Sequence, residues 1–449
     1  MSPPNSHDQI LVQIASYNTN LQGSSGVPQD LVDWLSPTLQ VSSFLSGSHP
    51  RSPDIVAVGF QELLPLHLGF SGFSTSVLSR LSSHILSQIE THSPANDSKY
   101  TLIAQVVNVG VALLIYARDD RIAEKVRDVQ TSWTGCGPCW MGNKGAVGVR
   151  LSINGETYTF VCAHLNAHAQ NLDRRIKDFH YIVSTLLFPA LPSSKDKTPT
   201  TMYSSSHLFF FGDLNFRVIP KLPTSSTLAP SEYVAELIGG HIHTQSQSQS
   251  PDISRQLEIL KEHDQLLTER RKGSVFHGFK EGEFWRFKCS YKYHLGAVDH
   301  YNTKRIPSWT DRILYATYSD DPDVGLDVSN IKNLSYTSIP SYTTSDHKPI
   351  VAMLLLPPPS GPDPESTQDS SDSTSTPLLS APLISVALSH APTPDPHATI
   401  KRYTGRTVDR VVGVVWWTFR ILGAGHAAVG VLNVVLVTAV WSWWNSKGG

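Results

Sequence analysis

Between residues 10 and 356, short β-branched and aromatic runs recur, and most of them stop at a polar residue able to bind a metal or carry a proton. The runs at 10–16, 55–60, 106–117, 157–163, 208–212 and 350–356 have the length and composition of strands. Stretches 172–187 and 254–271 carry helical spacing instead, the second with Ser254 placed to cap its start. Strands interleaved with helices predict an α/β or α+β domain with packed sheets, and 40% apolar residues in 449 can fill its core. Two polar insertions, 193–206 and 244–251, are predicted to be solvated loops.

The strand ends carry the chemistry. Asn18, Glu62, Asp213 and Asn215 follow predicted strands, while Asp346 and His347 precede the last one. Each alone is ordinary turn chemistry, but strand ends converge on one rim of a sheet, and a set of oxygen donors favours Mg²⁺ over Zn²⁺. His164 and His168 lie four apart beyond a strand with no cysteine pair, so His164 reads as a phosphate or transition-state contact and His168 as structural or supporting. Asp311 and His347 are candidates for a carboxylate–imidazole pair, which would favour a charged ring beside a phosphate.

A formal charge of −2, from 36 basic and 38 acidic residues, argues against a chain that wraps nucleic acid; any anionic ligand must be met locally. Residues 1–9 lack the order of a signal peptide, which predicts a cytosolic, reducing setting for the four cysteines. Cys136-Gly137-Pro138-Cys139 spells a redox tetrad, yet its glycine-rich surroundings predict a loop rather than the helix N-terminus that activates a thiol.

From 357 to 400 Pro, Ser and Thr dominate, the composition of a disordered linker. Lys401, Arg402, Arg406 and Arg410 then precede an apolar segment, 411–444, interrupted only by Arg420. One helix of that length would measure about 50 Å, so the uncharged part, 421–444, at about 36 Å, is the predicted membrane span. Trp416 and Trp417 near one end, and Trp441, Trp443 and Trp444 at the other, suit its interfaces. The predicted division is a catalytic domain 1–356, a linker 357–400 and a basic flank with tail anchor 401–449, the catalytic domain facing the cytosol. A buried C-terminal helix or an in-plane amphipathic one is the competing reading. Loss of such an anchor would leave intrinsic chemistry nearly unchanged while lowering turnover on bilayers.

Five blocks, in order, resemble the inositol polyphosphate 5-phosphatase family of the endonuclease/exonuclease/phosphatase superfamily. They are Trp140-Met141-Gly142-Asn143-Lys144-Gly145, Ala163-His164-Leu165-Asn166-Ala167-His168, Gly212-Asp213-Leu214-Asn215-Phe216-Arg217, the run from Arg305 through Pro307-Ser308-Trp309-Thr310-Asp311-Arg312 to Leu314, and Ser345-Asp346-His347-Lys348-Pro349. Residues 9–356 are covered, with matching strand ends at Asn18 and Glu62. The resemblance implies a DNase I-like fold, a two-sheet β-sandwich flanked by helices with the site at one end. A C-terminal transmembrane helix occurs in the family's small members attached to the endoplasmic reticulum.

By the same resemblance Glu62, Asn18 and Asp346 hold Mg²⁺, Asp213 orients the attacking water, and Asn215 and His164 contact the scissile phosphate. His347, paired with Asp311, stabilises developing charge. Asn143, Lys144, Arg217, Tyr291, Lys292, Lys304 and Arg305 are the implied substrate contacts. Lys144 falls on the 1-phosphate side, and Tyr291 and Lys292 lie in a segment, opened by Glu281-Gly282, that reads the 4-phosphate. Cys289-Ser290 replaces the family's Pro-Thr, and Ile176 its Asn, both outside the expected metal set. The implied activity is Mg²⁺-dependent hydrolysis of the 5-phosphate of phosphatidylinositol 4,5-bisphosphate by a monomeric catalytic domain at the cytosolic face of the endoplasmic reticulum. The alternatives are a nuclease or sphingomyelinase on the same metal site, which plasmid DNA would reveal, and a lipid reader without turnover.

Overall fold

The computed structural model describes residues 9–21, 51–92, 98–190, 197–224, 226–239, 251–321, 324–359, 382–385, 392–421, 435, 438 and 439. In chain order the strands are β1 Leu11–Asn18, β2 Ile55–Gln61, β3 Tyr100–Asn108, β4 Val111–Arg118, β5 Val126–Gly135, β6 Gly145–Ile153, β7 Glu156–His164, β8 His207–Asp213, β9 Lys280–Glu281, β10 Asp311–Thr317, β11 Lys332–Ser338 and β12 Ile350–Leu355. The helices are α1 Leu66–Ser71, α2 Ser74–Thr91, α3 Leu172–Thr185, α4 Pro230–Gly239, α5 Pro251–Lys261, α6 Gln265–Arg271 and α7 Ala398–Ile421.

Two six-stranded sheets result, ordered β11-β12-β1-β2-β4-β3 and β5-β6-β7-β8-β10-β9. Side chains alternate across each strand, and here both faces are apolar. In β1, Val12 and Ile14 point into the layer between the sheets, while Ala15 and Tyr17 face outward with Leu78, Ile85 and Ile89 of α2. In β8, Phe209 and Phe211 point inward, and Leu208 and Phe210 pack outward with Phe179 and Ile182 of α3. Helices thus cover a sandwich on both sides, as the family resemblance implies.

Several expectations are corrected. The run at 106–117 is not one strand but the end of β3 and most of β4: the chain reverses at Val109, which takes a left-handed φ of 54°, and Asn108 pairs with Val111. A β-branched residue rarely adopts that φ, so Val109 itself masks the turn that Asn108 and Gly110 flank. The stretch 254–271 is two helices, α5 and α6, because Asp264, not Ser254, takes the cap: its carboxylate accepts from the Leu267 amide at 2.8 Å. Residues 200–206, expected to be solvated, are largely buried: the Thr201 carbonyl accepts from Arg150 Nη2 at 2.6 Å, and Ser206 Oγ accepts from the Thr157 amide at 3.0 Å.

Within the segment read as linker, Ile384 is buried and its amide donates to the Ser205 carbonyl at 2.9 Å. Within the expected basic flank, α7 folds back onto the sandwich instead of leading away from it: Arg402 Nη2 reaches Ser132 Oγ at 3.0 Å and Arg410 Nη1 the Phe70 carbonyl at 2.8 Å. The expected span 421–444 lies almost wholly outside the described residues; among those described, no helix is long and apolar enough to cross a membrane.

Gly212, in the last turn of β8, has a φ of 134°, and a Cβ there would lie 2.0 Å from the Ala163 carbonyl oxygen on β7. Backbone cannot yield cheaply, so Gly212→Ala is expected to destabilise the fold by about 2–3 kcal/mol, read as a lower urea midpoint.

Candidate active site

Strand register assembles the site. Gly145 on β6 pairs with His164 on β7, His164 with Asp213 on β8, and Asp213 with Asp311 on β10. Lys144, His164, Asp213 and Asp311 therefore line one edge of the second sheet. On the first sheet Asn18 pairs with Gln61, which delivers Glu62 in a left-handed φ of 53°. Asn18 Nδ2 donates to Asp213 Oδ2 at 2.9 Å, joining the sheets at this rim. Ser345 Oγ donates to the Asn18 carbonyl at 2.7 Å and accepts from the His347 amide at 3.1 Å, fixing the loop that leads into β12.

Asp213 is the centre. It is 1% exposed, its Oδ1 accepts from the Asn215 amide at 3.1 Å, and its Oδ2 lies 3.3 Å from His164 Nε2 and 4.0 Å from His347 Nε2. Burial alone would raise its pKa, but the hydrogen bond to His164 and the charge of His347 outweigh that and hold it well below the carboxylate range. His347 Nδ1 sits 2.9 Å from Asp311 Oδ2. Although burial disfavours its charged ring, Asp311, then Asp213 and Asp346, raise its pKa to about 10, so it is an imidazolium at neutral pH. His164 titrates the other way: burial, then Lys144, lower its pKa. Lys144 Nζ contacts His164 Nε2, and burial lowers the lysine's own pKa.

All of the predicted set except Asn143, Lys304 and Arg305 meets at this rim or its immediate wall. Asn215 Oδ1 is held by Arg217, whose guanidinium lies 4.4 Å over the Tyr291 ring; that ring packs on His347 at 4.5 Å. Lys292 Nζ pairs with Asp346 Oδ2. Lys304 and Arg305 are exposed and line a cleft of about 690 Å³ with Arg217, Tyr291, Lys292 and Asp346. Asn143 and Lys144 line a second cleft, of about 570 Å³. Lys144, expected on the 1-phosphate side, thus reaches inward to His164.

Sequence reasoning missed some contributors. Ser290, one of the departures, donates to Asp311 Oδ2 at 2.7 Å, as does Thr310 at 2.9 Å, so this position does touch the charged pair. His168, read as structural or supporting, is exposed and lines both clefts, which favours the supporting role; its place in the His164 block was the available signal. Conversely, Glu281 is buried in an ion pair with Arg312 at 2.6 Å and belongs to the scaffold.

Oxygen donors suited to a hard cation are present. Asp346 Oδ1 and Asp311 Oδ1 are buried with no hydrogen-bond partner among the described residues, and the Glu62 side chain stays 18% exposed at the rim, 3.8 Å from His164 Nε2. Asp213, Asp311 and His347 also present ligand atoms within 4.8 Å of one another. A protonated His347 has no lone pair to offer, so in that state the trio is ion-paired; the Glu62, Asn18 and Asp346 side also presents oxygens that could hold a cation.

Comparison with known proteins places these residues in a family. Human synaptojanin-1 is 30% identical over 374 residues, covering 77% of this chain and 21% of that protein. The mouse type II inositol 1,4,5-trisphosphate 5-phosphatase is 29% identical over 340 residues, covering 75% and 29%. This chain therefore spans less than a third of the length of either relative. The crystal structure of the inositol polyphosphate 5-phosphatase domain of SPsynaptojanin, bound to inositol (1,4)-bisphosphate and calcium, superposes with a TM-score of 0.55 at 25% identity, covering 78% of this chain and 84% of that one. Cimex nitrophorin, at TM-score 0.50 and 20% identity, covers 79% and 100% and shows the fold alone. Residues 15–353 match the endonuclease/exonuclease/phosphatase family 2, a stretch that holds every side chain of the rim, and the chain belongs to that family.

Proposed function

We propose that the protein hydrolyses the 5-phosphate of phosphatidylinositol 4,5-bisphosphate with Mg²⁺, by in-line attack of water. The observation that carries this reading is a buried Asp213 whose Oδ2 lies 3.3 Å from His164 Nε2 and 4.0 Å from His347 Nε2, with Lys144 against His164, between two clefts lined by basic side chains. A phosphate monoester repels nucleophiles through its anionic oxygens, and fixed positive groups offset that repulsion as the bond to the leaving oxygen breaks. Asp213 accepts the proton of the attacking water, Asn215 and His164 hold the phosphoryl oxygens, and His347, kept charged by Asp311, faces the charge that develops. Glu62, Asn18 and Asp346 would hold Mg²⁺, which supplies Lewis-acid stabilisation of the phosphoryl group.

The headgroup has two further phosphates, and the site has two basic arms. Lys292, Lys304 and Arg305 suit the 4-phosphate, and the Asn143–Lys144 side with Arg174 suits the 1-phosphate. The SPsynaptojanin domain binds inositol (1,4)-bisphosphate, the ring that remains when a 1,4,5-trisphosphate loses its 5-phosphate. The apolar segment 421–444, preceded by the basic residues of α7, holds the protein in the endoplasmic reticulum membrane with the sandwich in the cytosol.

Chelation of divalent metal is expected to lower phosphate release from vesicles containing this lipid by a factor of about 10²–10³, and Mg²⁺ to restore it. Full rate in EDTA, or release from the 4-position, would refute the reading; cleavage of plasmid DNA would favour the nuclease alternative.

A further inference from the structure

The helix α7 lies against the loop that carries Asn143 and Lys144. That loop leaves β5 at Gly135, makes a 3₁₀ turn at Pro138–Trp140 and enters β6 at Gly145. Cys139 and Trp140 both take left-handed φ values, 51° and 62°, so the turn is not one the chain favours locally. Its internal bonds include Gly137 N to the Met141 carbonyl at 3.0 Å and Cys136 N to the Lys144 carbonyl at 2.8 Å.

The Gly142 amide is taken from outside. Both carboxylate oxygens of Asp409 on α7 accept from it, at 3.1 and 3.2 Å, across 267 residues of sequence. Asp409 is 3% exposed, so this buried carboxylate serves the loop rather than solvent. The helix is fitted to the loop on either side of that bond. A Cβ at Gly405 would stand 2.0 Å from the Trp140 carbonyl oxygen, and Arg406 lies 4.1 Å over the Trp133 ring of β5. Two residues beyond Gly142, Lys144 meets His164 at the catalytic rim.

We infer that Asp409 is a positioning residue for the catalytic centre: it clamps the Gly142 amide, sets the loop and so sets where Lys144 stands relative to His164 and the substrate phosphate. The tail helix is then part of the catalytic unit, not only a tether, and removing it would damage chemistry as well as membrane attachment. The inference rests on the phosphatase reading for its rate measurements, and on the fold alone for its structural one.

The test uses the full chain in detergent with soluble inositol 1,4,5-trisphosphate, so membrane attachment plays no part. Asp409→Ala is expected to lower kcat/KM about tenfold, the effect of losing one charged hydrogen bond on a group near the reaction. Asp409→Asn, which keeps a carbonyl acceptor, should stay within about threefold of the parent. Arg410→Ala, which frees the same helix from the Phe70 carbonyl at 2.8 Å but leaves the loop bond, should change it by less than about twofold. Amide exchange at residues 141–144 reads the clamp without turnover, and Asp409→Ala alone of the three should accelerate it. Parental kcat/KM in Asp409→Ala, equal losses in Asp409→Ala and Arg410→Ala, or unchanged exchange at 141–144 would each overturn the inference. A parent inactive both on this substrate and on phosphatidylinositol 4,5-bisphosphate in the same detergent, with accelerated exchange in Asp409→Ala, would refute the phosphatase reading and leave the clamp standing.

Discussion

Replacing Asp213 by Asn is expected to cut kcat for 5-phosphate release by a factor of roughly 10²–10⁴ while KM stays level or falls. The direction of each part follows from the geometry. In the parent Oδ2 accepts from the Asn18 side chain at 2.9 Å and Oδ1 from the Asn215 backbone amide at 3.1 Å; an isosteric amide keeps one of these two acceptors, so the rim keeps its shape at the loss of one hydrogen bond. It cannot accept a proton from water, which removes the base. It also removes a negative charge that faces the incoming phosphate, with Lys144 and His347 left in place, so ground-state affinity for an anion should not suffer. Kinetics on soluble inositol 1,4,5-trisphosphate, with unfolding midpoints measured in parallel, separate the two effects. A kcat within tenfold of the parent, at equal stability, would remove Asp213 from the role of base.

The fold that presents this carboxylate does not itself specify the chemistry, since Cimex nitrophorin shares the architecture at TM-score 0.50. What distinguishes this chain is the set of residues at the strand ends, and these were legible because strand periodicity is local. The apolar run of β1 marks the strand, though not its facing, since Val12 and Ile14 on one face and Ala15 and Tyr17 on the other are all apolar, and Asn18 follows where that run stops. Asp213 and Asn215 are equally visible after the Phe-rich run of β8, and the blocks around Lys144, Asp311 and His347 supplied the rest.

The illegible parts are those fixed by contacts distant in sequence. Arg402, Arg406 and Arg410 look like the cationic flank of an apolar segment, and composition alone cannot tell a lysine or arginine aimed at lipid from one stacked on Trp133 or bonded to Phe70. The partner of Arg402 at Ser132 is 270 residues away, and only the folded sandwich brings them together. Residues 200–206 read as polar and solvated because Ser and Thr usually are, yet here their hydroxyl and carbonyl groups satisfy Arg150 and the start of β7. Ser290 illustrates the same limit at the site: a substitution outside the expected metal set still donates to Asp311.

The largest stability effect is expected at Arg312, the residue after Asp311 on β10. Its guanidinium is fully buried, pairs with Glu281 at 2.6 and 2.7 Å and with Asp264 at 2.9 Å, and lies 3.6 Å over the Phe284 ring. Arg270 adds a second cation, 3.0 Å from Glu281, so two buried carboxylates are balanced by two guanidinium groups. Arg312→Met fills much of the volume but leaves two carboxylates facing one cation, and breaking such a pair from one side costs about 3–5 kcal/mol. Asp264 loses most, because Glu281 keeps Arg270 while Asp264 gives up its guanidinium and keeps the Leu267 amide at 2.8 Å. The chemical unfolding midpoint should fall accordingly, with the slope unchanged. Adding Glu281→Leu to Arg312→Met removes one stranded charge and should recover part of the loss, giving a coupling energy of roughly 1–3 kcal/mol. At temperatures where the variant stays folded, KM for 4-phosphorylated substrates should match the parent, since Glu281 and Arg312 hold the scaffold and do not line the basic cleft. A midpoint unmoved by Arg312→Met, or a KM that rises while stability holds, would return Glu281 and its partner to the substrate-reading segment.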